Sequence, residues 1–226
     1  MLFRFPHSSW LPACRRLLLL LPALVLAAGL SARSLVKADV QLANNAVLAM
    51  YQDEDANMWI GTYDGLHLYN GKNTFVFRME LDNEFSLCSN IVLEIAPAEK
   101  GYLWVATSLG INKFSLRERR VVESYMQYVD VENIASDSEG NTVLFSGEDF
   151  ITCYRPGRAF FEDVYIPGVC AAEIVAVWSE APRVFCTLGR DGELVRYRLN
   201  DGEGKSLVRV SGRQLSARPV RKAFFN

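Results

Sequence analysis

Residues 45–69 read NAVLAMYQDEDANMWIGTYDGLHLY, and residues 90–114 read NIVLEIAPAEKGYLWVATSLGINKF. The segments match without a gap at one offset of 45 residues: Asn45 with Asn90, Val47 with Val92, Leu48 with Leu93, Trp59 with Trp104, Thr62 with Thr107, Gly65 with Gly110, Tyr69 with Phe114. A period of about 40–50 residues that carries short strands and one aromatic anchor is the signature of a β-propeller blade. Such a unit cannot bury both of its faces alone, so it must stack on copies of itself.

Each copy reads as strand, turn, strand, turn, strand. Val47 to Tyr51 is an apolar run that reads as a buried strand. Asp53 to Asn57 is a turn, because Asp and Asn side chains bond their own backbone. Met58 to Thr62 is rich in strand formers. Asp64-Gly65 signals a hairpin, and Leu66 to Tyr69 forms the next strand. Asn70-Gly71 turns again, and Thr74 to Met79 makes a fourth strand. Trp59 and Trp104 supply large apolar area for packing. Gly61 and Ala106 are small, as a strand needs where another backbone comes close. Gly65 and Gly110 suit positive φ in the hairpin.

Two weaker copies follow. Residues 131–154 keep the acidic turn at Asp137–Gly140 and end on Tyr154; residues 174–197 keep Thr187, turn at Arg190-Asp191-Gly192 and end on Tyr197. Both lack the blade tryptophan. After residue 32 no 3.6-residue apolar period appears, so the expected fold is all-β. Roughly four blades, with repeats near 45–79, 90–125, 131–165 and 174–210, fill residues 33–226 as an incomplete, unclosed propeller. The last segment, VRKAFFN, reads as the start of another repeat, and the chain as the front part of a longer protein. An unclosed propeller leaves a bare sheet face that favours self-association.

The chain opens with Arg4, Arg15 and Arg16, the apolar run LLLLLPALVLAAGL at 17–30, and small residues at Ser31-Ala32. This is the pattern of a signal peptide over residues 1–32, helical in its apolar part and shorter than the ~20 residues of a membrane span. Its removal takes three basic residues and no acid, so the net charge falls from −2 to about −5. That balance argues against nucleic acid as a partner. A basic strip follows Glu203 (Lys205, Arg209, Arg213, Arg218, Arg221, Lys222) and reads as a solvated strand and loop. Export permits disulfides, yet Cys88, Cys153, Cys170 and Cys186 have no paired spacing and read as small buried thiols.

The buried strand, acidic turn, Trp59-Ile60-Gly61-Thr62 and Asp64-Gly65-Leu66-His67-Leu68-Tyr69 together resemble the two-component-regulator propeller repeat. The second copy departs at Ala106 and Ile111, and its turn is Ala98-Glu99-Lys100-Gly101. The resemblance implies the periplasmic sensor region of a Bacteroidetes hybrid two-component system. Such a region is followed by a β-sandwich, a membrane helix and a histidine kinase, none of which lies in these residues. It also implies a soluble ligand, commonly an oligosaccharide, and partnership with the rest of the kinase.

Enzymatic chemistry finds few candidates. Only His7 and His67 are present, and His7 leaves with the signal peptide. One histidine cannot build a multi-histidine metal site, and no GxSxG elbow accompanies it. His67 reads as an ordinary polar strand position. Asp53–Asn57 lacks the glycine and glutamate of a calcium loop, and Ser136–Thr142 approaches the Asp-box turn of sialidase-like propellers without its aromatic. The expectation is a non-enzymatic sensor module without cofactor or metal. Its repeat motif comprises Trp59, Gly61, Thr62, Gly65, Trp104, Thr107 and Gly110, and its ligand residues are unassigned. The alternatives are an exported propeller enzyme acting on glycans and a truncated interaction scaffold.

Overall fold

A computed structural model describes residues 40–125, 131–146, 150–157, 161–164, 166, 169–200, 207–216 and 218–220. The expected signal peptide, the N-terminal part of the expected propeller region at 33–39, and Lys205, Arg221 and Lys222 lie outside them.

The described residues form four antiparallel four-stranded meanders. The first holds β1 (Val47–Gln52), β2 (Met58–Thr62), β3 (Gly65–Tyr69) and β4 (Thr74–Phe77). The second holds β5 (Val92–Pro97), β6 (Tyr102–Thr107), β7 (Gly110–Ser115) and β8 (Arg120–Tyr125). The third runs through β9 (Val131–Ser136), β10 (Thr142–Ser146), β11 (Phe150–Tyr154) and β12 (Glu162–Val164). The fourth runs through β13 (Ile174–Ala181), β14 (Val184–Gly189), β15 (Glu193–Leu199) and β16 (Leu207–Gln214). Among the described residues the only helix is a 3-10 turn at Ala171–Glu173. The first strands β1, β5, β9 and β13 lie side by side in that order. This is an all-β stack of propeller blades.

Strand alternation gives every blade two faces. In the first blade Trp59 pairs with Leu68, and Leu68 with Phe75, so these residues share one face. Ile60, His67 and Val76 share the other. The Trp59 face packs on the second blade, burying Trp59, Leu66 and Leu68 against Val92, Leu103, Val105 and Phe114. In turn Trp104, Ala106 and Ile111 of the second blade pack on Ile134, Leu144 and Tyr154 of the third. Val143, Phe145 and Cys153 of the third blade pack on Phe185, Val195 and Tyr197 of the fourth. Each blade thus presents an outgoing face to its successor and an incoming face to its predecessor.

Two local expectations are corrected. The Val47–Tyr51 strand is not a buried run: Val47, Leu48 and Met50 are exposed, and only Ala49 is buried. The reason is position, because the incoming face of the first blade has no preceding blade among the described residues. The fourth strand stops at Phe77, not Met79. There Arg78 turns out to pair with Asp64 at 3.0 Å, and Met79 N–H donates to Asn90 Oδ1 at 2.7 Å. At Gly61 another backbone does come close, as expected: a Cβ would stand 3.1 Å from the Val92 carbonyl oxygen, and 2.7 Å from Val92 Cγ1.

Candidate functional site

The motif residues build the blade frame. Trp59 is buried, meets Phe114 edge-on at 5.3 Å, and donates its indole N–H to Asp53 Oδ2 at 2.8 Å. Trp104 is buried and donates its indole N–H across the blade boundary to Thr142 Oγ1 at 2.8 Å. The two threonines bracket their hairpins. Thr62 Oγ1 donates to the Gly65 carbonyl and accepts from Asp64 N–H. Thr107 Oγ1 likewise donates to the Gly110 carbonyl and accepts from Leu109 N–H. Gly65 sits at φ +111°, where a Cβ would meet the Phe77 carbonyl at 2.5 Å. Gly110 is also at positive φ, +155°.

The acidic turns repeat bond for bond. Asp53 Oδ1 accepts from the N–H groups of Asp55 and Asn57, and its Oδ2 accepts from Asn57 Nδ2. Asp137 does the same with Glu139, Asn141 and Asn141 Nδ2. Asp137 then accepts Arg183 N–H of the fourth blade at 2.7 Å, a joint between blades. Among the described residues the four cysteines, Cys88, Cys153, Cys170 and Cys186, are free; burial pushes the Cys153 thiol up to about 12, so it stays an inert thiol. In the basic strip Arg209 is paired with Glu193 at 2.6 Å.

His67 is not an ordinary polar strand residue. It is fully buried, and its Nε2 accepts Ala43 N–H at 3.0 Å. At the 45-residue offset, Asn112 Oδ1 accepts Cys88 N–H at 3.1 Å. In the first two blades the repeat therefore includes a polar side chain that fastens the segment leading into the blade. Burial lowers the His67 pKa from its ordinary 6.5 and outweighs the opposing effect of the Ile60 and Gly65 backbone; Arg78 lowers it and Asp64 raises it more weakly. The fold thus prefers neutral imidazole. Its contribution to stability is full above pH ~6.5 and is lost as pH falls toward the lower folded value. His67→Asn should keep the acceptor and remove this loss. Urea unfolding at about pH 7.5 and about pH 5.5 checks it: equal losses in wild type and variant would exclude His67 as the titrating group.

The most chemically equipped cavity lies between the second and third blades. It has a volume of about 550 Å³ and is lined by Glu99, Lys113, Glu123, Ser124, Tyr125, Tyr154 and Gly157. Lys113 stands where the first blade has Leu68, at the 45-residue offset, so this is a charge at a core position. Its side chain is 6% exposed, ion-paired to Glu99 and, at 3.7 Å, to Glu123. Its ammonium donates to Tyr154 Oη at 3.2 Å and lies over the rings of Tyr102, Trp104 and Tyr154. Burial works to lower the Lys113 pKa, but the hydrogen bonds and charges of Glu99 and Tyr154 outweigh it and hold it above the ordinary lysine value. The lysine stays charged near neutral pH and is no free nucleophile.

The remaining lining is a set of bonding groups. Tyr125 Oη donates to Glu123 Oε2 at 2.5 Å, and burial with that carboxylate raises its pKa, so the phenol keeps its proton. Glu99 Oε2 is buried without a hydrogen-bond partner. Carboxylates, hydroxyls and tyrosine rings around one cavity suit a neutral, hydroxyl-rich ligand. A larger cavity, about 700 Å³, lies along the Met79–Cys88 loop, with no lysine or arginine in its lining. Sequence reading missed the Lys113 cavity. The signal that could have found it was a lysine replacing a core leucine in register.

Residues 41–64 match the family model of the two component regulator propeller. That stretch of the first blade carries one two component regulator propeller repeat. Among solved structures, this propeller is similar to an extracellular domain assigned to a hybrid two component system of B. thetaiotaomicron. The TM-score is 0.52 and the identity 18%, over 70% of this chain and 21% of that one. It is also similar to PorZ, a surface component of the type-IX secretion system of Porphyromonas gingivalis, at TM-score 0.54 and 12% identity, over 74% of this chain and 22% of that one. The WD40 repeats of RRP9 align at TM-score 0.53 and 13% identity, over 73% of this chain and 50% of that one. At these identities the likeness is one of fold, and the propeller spans at most about half of each structure. Comparison with curated proteins finds no match. Among the described residues, no helix is long and apolar enough to cross a membrane.

Proposed function

We propose that this propeller is the periplasmic ligand-sensing part of a two-component sensor. It is exported by the signal peptide at residues 1–32, which precedes a partial propeller over 33–226. It binds a soluble carbohydrate and signals to a histidine kinase outside these residues, without itself catalysing a reaction. The observation that carries the reading is the two component regulator repeat at 41–64, one blade away from the Lys113 cavity. A sugar offers C–H faces to tyrosine rings and hydroxyls to carboxylates, and that cavity supplies both. Signalling then follows from a ligand that binds one arrangement of the assembly better than another. Self-association is part of the reading, since a bare blade face favours it.

Calorimetric titration of the full chain with soluble oligosaccharides tests this. The expected result is saturable binding that Tyr125→Ala weakens by at least about tenfold, the scale of one well-placed contact. Turnover of the glycan would instead favour an exported enzyme. Binding unaffected by Tyr125→Ala would remove the cavity from the reading.

A further inference from the structure

The Lys113 cavity sets two carboxylates against one ammonium, and the three are not equally open. The side chains of Glu99 and Glu123 are 28% and 47% exposed, while that of Lys113 is 6% exposed. The ammonium has three protons to donate. One goes to Glu99 Oε1 and one to Tyr154 Oη at 3.2 Å, and Glu123 Oε1 stands 3.7 Å away. The nitrogen also lies over the rings of Tyr102, Trp104 and Tyr154, at 5.1, 5.8 and 5.3 Å from their centroids. The positive charge is thus committed and covered. A molecule entering the cavity meets carboxylates before it meets the lysine.

Glu99 is also held in place. It sits in the turn between β5 and β6, and its stem packs on the third blade: a Cβ at Gly140, itself at φ +83°, would stand 2.8 Å from Glu99 Cβ. Its Oε1 meets Lys113, while its Oε2 is buried with no hydrogen-bond partner. A buried acceptor of this kind calls for a donor. A saccharide hydroxyl supplies one. An ionised carboxylate or sulfate only accepts, and it would stand beside two charges of its own sign. Tyr125 is committed as well, since its phenol donates to Glu123 Oε2 at 2.5 Å.

We infer that this cavity selects uncharged saccharides over acidic ones, uronates and sulfated sugars included, and that Glu99 and Glu123 make the choice. Selectivity is a difference between two affinities, and a site gains it by opposing the wrong ligand as well as by holding the right one. A uronate gives up the C6 hydroxyl that could donate to Glu99. It also brings a negative charge into a partly buried site, where like charges repel more strongly than in water and salt screens them less. The inference rests on the carbohydrate reading of this cavity and adds to it the class of saccharide.

The test is calorimetric titration of the full chain with cellotetraose, mannotetraose and galactotetraose, each beside its C6-oxidised uronate counterpart. The members of a pair differ only at C6. In any pair that binds, the uronate is expected to bind at least about tenfold more weakly. Glu99→Gln removes one charge at nearly constant shape and should shrink that ratio to about threefold or less. It also takes an ionic partner from the buried Lys113, so Glu123→Gln, on the more open carboxylate, is the second variant and should shrink the ratio in the same direction. A uronate that binds as tightly as its neutral counterpart would overturn the selection and leave carbohydrate binding standing. A ratio unmoved by both variants would take the choice away from these two carboxylates. Binding of no saccharide in either form would overturn the carbohydrate reading, and this inference with it.

Discussion

Replacing Trp104 by alanine is expected to destabilise the fold by about 3–5 kcal/mol, the range for truncating a buried tryptophan. Trp104 is 0% exposed and sits among three aromatic rings: Tyr125 at 6.0 Å, Tyr154 at 4.9 Å and Phe161 at 5.3 Å. The last two belong to the third blade, so the loss falls on the contact between blades. The indole N–H bond to Thr142 adds about 1 kcal/mol. Trp104→Phe keeps most of the packing and loses that bond, so it should cost clearly less than alanine. The loss is a large fraction of the ~5–15 kcal/mol that holds a domain together. Urea unfolding of the three proteins measures it. A cost below about 1 kcal/mol for Trp104→Ala would mean that the second and third blades are not joined through this residue.

Asp137→Ala should cost about as much, for a different reason. Asp137 is 5% exposed, and its carboxylate accepts four N–H donors at 2.7–2.9 Å. Each bond to a charged group contributes about 1.5–3 kcal/mol, but the donors share one acceptor and are not additive. A net loss of about 3–5 kcal/mol is therefore expected. The Arg183 bond sets this turn apart from that of Asp53, whose bonds to Asp55, Asn57 and Trp59 stay within the first blade. Asp137→Ala should thus raise hydrogen exchange in β13 and β14 as well as in its own turn. Exchange that rises only at residues 137–142 would show that the Arg183 bond does not hold the fourth blade.

The difference between these two acids shows where sequence reading reaches. Asp53 and Asp137 are legible as turns because their partners lie two to six residues away and the Asx bond is local. The Arg183 bond spans 46 residues and has no sequence mark. The hairpins were legible in the same local way, since threonine and glycine sit three residues apart around each one. His67 was misread because its partner, Ala43, lies 24 residues back in a segment with no pattern of its own. The clue lay in the repeat: the 45-residue offset that aligns Trp59 with Trp104 also aligns His67 with Asn112. The exposed Val47–Met50 strand was misread for a complementary reason. Its composition is that of a buried strand, and only the stacking order decides whether a blade covers it. Lys113 lay in plain view as a lysine in place of Leu68, yet its acidic and aromatic partners come from two blades.

Hydrogen exchange of the full chain, with and without a saturating soluble oligosaccharide, tests the sensing role most directly. New protection is expected around the inter-blade cavity, at residues 98–102, 113, 123–125 and 154–157, and should be absent in Tyr125→Ala. Protection confined elsewhere, such as the Met79–Cys88 loop, or no change with any saccharide, would contradict a carbohydrate sensor built on that cavity.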